Sequence, residues 1–169
     1  AQYDTSDVYA EQNAGNINLF NNSSFRFNWN VGASTSTFKQ NGGNVTFYSD
    51  YGTTLATSGR LDLDANAANS STNTYHLNGG RLTVGYINQT DTSTLGTFNF
   101  NGGTLKAATS RTDFMQGLSV ANVLSGGAII ETTNNNITIA QNLLDGGGNG
   151  GLTKTGTGTL TLNGTNTYT

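Results

Sequence analysis

The sequence predicts an all-β protein built as a parallel β-helix, a solenoid in which short strands and turns recur along the chain. Three observations lead to this prediction. The composition favours strands and turns, a turn motif repeats at nearly constant intervals, and the segments between the turns alternate apolar and polar residues. Nothing in the chain would sustain a long helix.

The composition is rich in small neutral polar residues and poor in charge. The 169 residues include 28 Thr, 24 Asn and 23 Gly, while charged residues make up only 10%. Branched Thr side chains suit a pleated strand, and Asn and Gly suit turns because both tolerate positive φ. Because Cys is absent, the fold must depend on backbone ladders and stacked side chains rather than on disulfides.

The same composition excludes some classes of function. A formal net charge of −3 without a basic stripe gives no electrostatic footprint for nucleic acid. No stretch approaches the ~20 apolar residues of a membrane-spanning helix. Neither nucleic acid nor a membrane span is therefore predicted.

A Gly-Gly turn motif, usually preceded by Asn, occurs five times. Its copies begin at intervals of 37, 23, 24 and 24 residues, and the first interval equals one repeat plus an insertion of about 13 residues. The predicted structural turn residues are Asn41, Gly42, Gly43, Asn78, Gly79, Gly80, Asn101, Gly102, Gly103, Gly126, Gly127, Asn149, Gly150 and Gly151. The regular spacing indicates a repeated structural unit.

Two folds are compatible with this motif. Asn-Gly between alternating apolar residues is a strong hairpin signal, and hairpins would give an antiparallel β-sandwich. A period of 23 or 24 residues also matches one coil of a parallel β-helix, with three strands and three turns. The even spacing favours the solenoid, because stacked rungs must repeat at a constant interval and hairpins need not.

Strand-like alternation and the turn motif together suggest two regions. Apolar and polar residues alternate in the runs 25–29, 60–64, 98–100, 137–139 and 159–162, as expected of strands with one buried and one solvent-exposed face. Residues 1–24 lack a Gly-Gly turn and are predicted to form an N-terminal cap or arm. Residues 25–169 are predicted to form the solenoid.

The segment 150–169, about an eighth of the chain, resembles the autotransporter-associated β-strand repeat. The resemblance rests on Gly151, Leu152, Lys154, Gly156, Gly158, Leu160, Leu162, Gly164, Asn166 and Tyr168, which have the spacing of that repeat. It implies a right-handed β-helical passenger region. It also implies a protein exported to a bacterial surface or matrix, where such regions act as stalks, adhesins or fibres.

Candidate chemical groups are few. His76 is the only histidine, and no spacing gives it catalytic or metal-binding partners, so a solvent-facing strand position is expected. Asp62 and Asp64 lie two apart on one strand face, which would suit Ca²⁺ or a glycosidase pair. The simpler interpretation is that the two aspartates lie on a solvent-exposed strand face without a chemical role. No cofactor is predicted.

The expected function is architectural. The sequence predicts an extracellular structural protein, not an enzyme, that associates with copies of itself by strand addition, and the resemblance implies that it is secreted to a bacterial surface or matrix. The start at Ala1 without Met is expected after removal of a signal peptide, and the strand-like run up to Thr169 offers an edge.

The alternative is a carbohydrate-binding adhesin or a β-helical polysaccharide-active enzyme, with surface glycans as partners. A groove lined by acids and aromatic residues would favour it.

Overall fold

The computed structural model of the protein describes residues 8–26, 34–51, 54–64 and 71–169. These residues form eighteen β-strands, and no helix occurs among them. The strands are β1 (Val8–Gln12), β2 (Asn16–Leu19), β3 (Ser24–Arg26), β4 (Thr35–Gln40), β5 (Asn44–Phe47), β6 (Arg60–Asp62), β7 (Thr72–Leu77), β8 (Arg81–Val84), β9 (Tyr86–Asn88), β10 (Leu95–Phe100), β11 (Thr104–Ala107), β12 (Arg111–Gln116), β13 (Val120–Val123), β14 (Ala128–Glu131), β15 (Ile137–Ile139), β16 (Leu144–Asp145), β17 (Leu152–Thr155) and β18 (Leu160–Leu162).

The strands form three six-stranded parallel sheets. Sheet A has the order β1-β4-β7-β10-β13-β16, sheet B the order β2-β5-β8-β11-β14-β17, and sheet C the order β3-β6-β9-β12-β15-β18. Each strand lies on the equivalent strand one rung earlier, and three consecutive strands make one of six rungs. The predicted parallel β-solenoid is confirmed.

The alternative antiparallel β-sandwich is wrong. The pairs between named strands within the described residues are all parallel. The Asn-Gly-Gly motif turns the chain from one sheet to the next around the column and does not fold it back on itself. The strands that flank the motif therefore pair with other rungs and not with each other.

The three corners of a rung differ in length. The A–B corner, between a sheet A strand and the next sheet B strand, has three residues in each of the first four rungs: 13–15, 41–43, 78–80 and 101–103. The B–C corner ranges from one residue, Gly85, to the segment 48–59. Most of the insertion predicted within the 37-residue interval therefore lies at the B–C corner of the second rung.

The predicted N-terminal cap or arm is not confirmed. Residues 8–26 instead supply β1, β2 and β3, which pair in parallel with β4, β5 and β6. Ala14-Gly15 turns the chain here without a Gly-Gly pair, and Gly15 has a φ of 77°. Residues 1–7 lie outside the described part, and the predicted boundary after residue 24 falls inside β3.

The core consists of columns of side chains stacked along the axis. In one column the rings of Phe38, Tyr75 and Phe98 follow one another, with centroids 5.3 and 5.5 Å apart. Stacked rings add to the stabilisation from apolar burial. The Tyr75 hydroxyl donates to Oε1 of buried Gln40 at 2.6 Å, which satisfies both polar groups, and burial raises the pKa of Tyr75.

The predicted alternation of buried and more exposed residues is found in the runs 137–139 and 159–162, but in the runs 60–64 and 98–100 the intervening polar residues are buried as well. Ile137 and Ile139 are buried on either side of the half-buried Thr138, and Leu61 and Leu63 are fully buried. The part of the run 25–29 beyond residue 26 lies outside the described residues.

Candidate functional site

The predicted Asn-Gly-Gly residues lie at the A–B corner, one copy above another. Nδ2 of Asn41 donates to Oδ1 of Asn13 at 2.9 Å, Nδ2 of Asn78 to Asn41 at 2.8 Å, and Nδ2 of Asn101 to Asn78 at 3.1 Å. The N–H of Gly126 donates to Oδ1 of Asn101 at 3.0 Å, which continues the ladder into the fifth rung. Such amide ladders suit a column of identical side chains at a constant spacing.

The glycines of this corner make the close stacking possible. Gly80 has a φ of 67°, and a Cβ at this position would overlap the carbonyl oxygen of Gly43 in the rung before it. The N–H of Arg81 donates to that same oxygen at 2.9 Å. The other predicted turn glycines occupy this corner in successive rungs: Gly42, Gly43, Gly79, Gly102, Gly103, Gly126, Gly127, Gly150 and Gly151, the last two after Asn149.

The residues of the autotransporter-like motif run from the A–B corner of the sixth rung through β17 and β18 into the segment that follows β18. Leu160 and Leu162 pair with Ile137 and Ile139 of the rung before, so the apolar columns continue into β18. Gly158 lies against the backbone of Asn135, where a side chain would not fit. The motif leucines therefore follow the stacking of the core.

The remaining motif residues lie beside the segment 141–143, which leads into β16, or complete a turn of the sixth rung. Oδ1 of Asn166 accepts the N–H of Leu143 at 2.9 Å, and Nζ of Lys154 donates to the carbonyl of Gly156 at 2.8 Å. Tyr168 packs against the core. Gly164 lies against the backbone of residues 141 and 142.

The expectation that Asp62 and Asp64 lie on a wet face is wrong. Asp62 is only 2% exposed, because the guanidinium groups of Arg26 and Arg60 cover it. Its Oδ2 accepts from Arg26 Nη2 at 2.6 Å and from Arg60 Nε at 3.3 Å. Burial alone would raise the pKa of Asp62, but the bonds from Arg26 and Asp64 outweigh it and lower that pKa.

Asp64, which is 7% exposed, holds the next corner. Its carboxylate accepts the N–H and the hydroxyl of Thr90, each at 2.7 Å, and the N–H of Asp91 at 2.9 Å. The two carboxylates thus connect neighbouring rungs through separate partners. This arrangement does not present a pair of carboxylates to a substrate.

His76 lies on the outer face of sheet A in a column of polar side chains. Its Nδ1 is 3.3 Å from Nδ2 of Asn99, and Nδ2 of Asn122 donates to Oδ1 of Asn99 at 2.9 Å. Partial burial and the nearby Lys39 ammonium lower the pKa of His76. No group of three or more His, Cys, Asp or Glu residues in the described ranges is placed to hold a metal ion.

A polar groove on the outer face of sheet B was not predicted from the sequence. It has a volume of about 300 Å³. Its lining residues come from β2, β5, β8 and β11 and from the B–C insertion, and they are Asn16, Asn18, Asn44, Thr46, Tyr48, Leu55, Arg81, Thr83 and Lys106. We call this feature the sheet B groove.

The B–C insertion forms one wall of the sheet B groove. Tyr48 and Leu55 make an antiparallel bridge, and the N–H of Ser49 donates to the carbonyl of Thr54 at 2.9 Å. The Tyr48 ring stacks on Phe20 with centroids 5.6 Å apart. The wall is therefore held against the first rung as well as against the second rung, to which the insertion belongs.

The cations of the sheet B groove are held by one carboxylate. Glu131 contacts Arg81 Nη2 at 3.1 Å and Lys106 Nζ at 2.9 Å. Burial alone would raise the pKa of Glu131, but Lys106 and Arg81 together lower it below its ordinary value. The carboxylate is thus ionised near neutral pH and fixes both cations along the groove.

The sequence carries only a faint signal of this groove. Asn16, Asn44 and Arg81 occupy one outer column of sheet B, and Asn18, Thr46, Thr83 and Lys106 occupy the other. Outward strand positions are polar in most proteins, so the pattern does not stand out. These residues come together only through the pairing register of β2, β5, β8 and β11, and that register depends on the length of the insertion.

The fold and its stacked corners define a β-solenoid, compatible with a β-helical repeat protein. Comparison with protein-family models, with curated proteins and with solved structures gave no match to this chain. The described ranges contain no helix with the length and apolar character needed to cross a membrane.

Proposed function

We propose that the protein is an extracellular structural β-solenoid of the autotransporter-passenger type. In this role it stands as a stalk on a bacterial surface or associates end to end into fibres in a matrix. The observation that carries the proposal is the contrast between the fifth and sixth rungs. Ile137 and Ile139 are at most 2% exposed, whereas Leu160 and Leu162, which stack on them, are only partly buried.

A further rung would complete the burial of these leucines. Among the described strands, β17 and β18 each have a partner on one side only, and so do β1, β2 and β3. Beside β16, the N–H of Thr167 already donates to the carbonyl of Leu143 at 2.9 Å. Unpaired strand edges template the addition of further strands, and strand addition combines backbone hydrogen bonds with side-chain contacts. A second copy of this chain offers edges with the same three-sheet geometry.

The proposed role is not catalytic and requires no cofactor. It is supported by the buried state of Asp62 and Asp64, since their partners are arginines, a threonine and backbone groups within the fold. The autotransporter-type assignment is supported by the motif residues of the sixth rung, whose spacing follows the stacking of the column.

A matched pair of substitutions in β18 tests self-association. Leu162→Lys places a charge on the partly buried, inward-facing column, and Thr161→Lys places the same charge on the exposed side of the same strand. We expect the wild-type protein and Thr161→Lys to form elongated assemblies that grow with concentration, as seen by light scattering and electron microscopy. Leu162→Lys should remain small, because a charge buried at the junction is strongly unfavourable.

Circular dichroism would confirm that both variants retain the β-fold. A wild-type protein that stays monomeric at high concentration would contradict the proposal, and so would assembly of folded Leu162→Lys to the wild-type extent.

A further inference from the structure

The sheet B groove has the shape of a site for an extended ligand. Its floor crosses four successive strands, which at about 4.8 Å per strand span about 14 Å along the column. The groove lies on an outer face, with Tyr48 and Leu55 at the insertion side. An open channel of this form suits a chain molecule that lies along the axis better than a compact cofactor.

One end of the groove presents neutral hydrogen-bonding groups. Asn16, Asn18 and Asn44 are exposed carboxamides, and Nδ2 of Asn44 donates to Oδ1 of Asn16 at 2.9 Å. A carboxamide both donates and accepts, as does the nearby Thr46 hydroxyl. Groups of this kind match sugar hydroxyls, which also donate and accept.

The other end of the groove is cationic. Arg81 and Lys106 are two of the seven basic residues in the chain, and none of the described residues that line the groove is acidic. The adjoining carboxylate of Glu131 contacts both cations, so this end of the groove keeps one excess positive charge. Arg81 contacts Glu131 through Nη2, while a guanidinium carries five N–H donors. Its side chain is 48% exposed, so it can meet a second carboxylate from the solvent side. Arginine binds carboxylates with two parallel hydrogen bonds.

We propose that the sheet B groove binds an acidic polysaccharide, with the carboxylate of a uronic acid residue on Arg81 and Lys106 and sugar hydroxyls on the asparagines. This ligand combines the two kinds of group that the groove recognises. Single-stranded nucleic acid fits less well, because its sites usually join a basic groove to several base-stacking aromatic rings. Here Tyr48 is the one aromatic residue among those that line the groove.

Polygalacturonate and its methyl ester are suitable probes, since the ester has the same backbone without the charge. In isothermal titration calorimetry at low salt, the wild-type protein should bind polygalacturonate and should bind the ester much more weakly. Arg81→Gln should weaken binding at least about tenfold, the usual effect of losing a charged hydrogen bond. Lys39→Gln, which makes the same charge change on sheet A, should leave binding unchanged.

Lys106→Gln provides a second variant in case Arg81→Gln does not fold. The proposal would be overturned by no binding to the wild-type protein, by equal binding of the methyl ester, or by wild-type affinity in both folded groove variants. Tighter binding of a single-stranded oligonucleotide than of polygalacturonate would favour the other class of ligand and would also overturn it. Light scattering of Arg81→Gln distinguishes failure of the ligand proposal from failure of the proposed self-association. The variant should still assemble like the wild-type protein, because the substitution lies in the groove and not at the ends of the column.

Discussion

The A–B and B–C corners of the solenoid follow opposite rules. At the A–B corner the first four rungs use turns of the same length, and Asn13, Asn41, Asn78 and Asn101 form a continuous ladder. At the B–C corner the connection ranges from Gly85 alone to the segment 48–59. The constant corner keeps the rungs in register, and the variable corner is where the column gains a groove wall.

The C–A corner, between a sheet C strand and the following sheet A strand, is held in a third way. Buried Gln89 accepts the N–H groups of Gly96 and Ser119 at 3.0 and 3.1 Å, and it donates to the carbonyl of Thr94 at 2.6 Å. Asp64 plays a similar part for Thr90. Side chains bind backbone groups at both corners, since Nε2 of Gln40 at the A–B corner donates to the carbonyls of Gly43 and Arg81 at 3.3 and 3.0 Å.

The same insertion placed in two corners should have very different effects. Two glycines inserted between Asn78 and Gly79 should lower the free energy of unfolding by more than about 3 kcal/mol, because several inter-rung hydrogen bonds of about 1 kcal/mol each are lost. Two glycines inserted between Asp50 and Tyr51 should cost less than about 1 kcal/mol, since lengthening a loop adds little closure entropy. Urea unfolding followed by circular dichroism gives both values, and equal losses would refute the distinction between the corners.

Two glycines of the A–B corner separate backbone strain from stacking. Gly15 and Gly80 both have positive φ, 77° and 67°, but a Cβ on Gly15 meets nothing within 4 Å, whereas on Gly80 it overlaps Gly43. Gly15→Ala should therefore cost about 1 kcal/mol for the left-handed conformation alone. Gly80→Ala should cost about 3 kcal/mol, because the rung before it must also shift.

Thermal and urea unfolding of the two variants would measure this difference. Losses of similar size would show that contact between successive A–B turns contributes little.

Asp62→Asn tests whether carboxylates hold the start of the C–A corner. The substitution should lower the free energy of unfolding at pH 7 by about 2 kcal/mol, since it leaves Arg26 and Arg60 without their carboxylate. The pKa of Asp62 is lower than its ordinary value in the folded chain. The stabilisation of the fold by the ionised Asp62 carboxylate is therefore complete above the pKa range of an ordinary aspartate. It is lost as the pH falls through the pKa that Asp62 has in the folded chain.

The wild-type protein should consequently lose stability on acidification below about pH 4, and Asp62→Asn should lose less over the same range. Asp145→Asn, at an exposed carboxylate, is the control and should follow the wild-type curve. Parallel acid curves for the wild type and Asp62→Asn would argue against the role given to this ion pair.

Part of the architecture could be predicted because it depends on local, periodic signals. Asn and Gly at a regular interval marked the A–B corner, and alternation marked strands such as β15 and β18. The insertion in the 37-residue interval was also predicted, although the corner that holds it was not. The first rung was missed because its A–B turn uses Ala14-Gly15 instead of Gly-Gly.

The sequence by itself favoured the parallel stacking of this protein over an antiparallel sandwich, since a turn motif repeated at a nearly constant interval is expected when equivalent residues lie above one another. Only the tertiary structure decided that Asp62 is buried between two arginines and that Arg81 and Lys106 share a groove with Asn16. The physical reason is that these residues meet across rungs whose separation along the chain ranges from 23 to 37 residues. The lengths of the corners decide which residues of successive rungs lie side by side. A polar residue at an outward-facing strand position gives no indication of which residues those neighbours are.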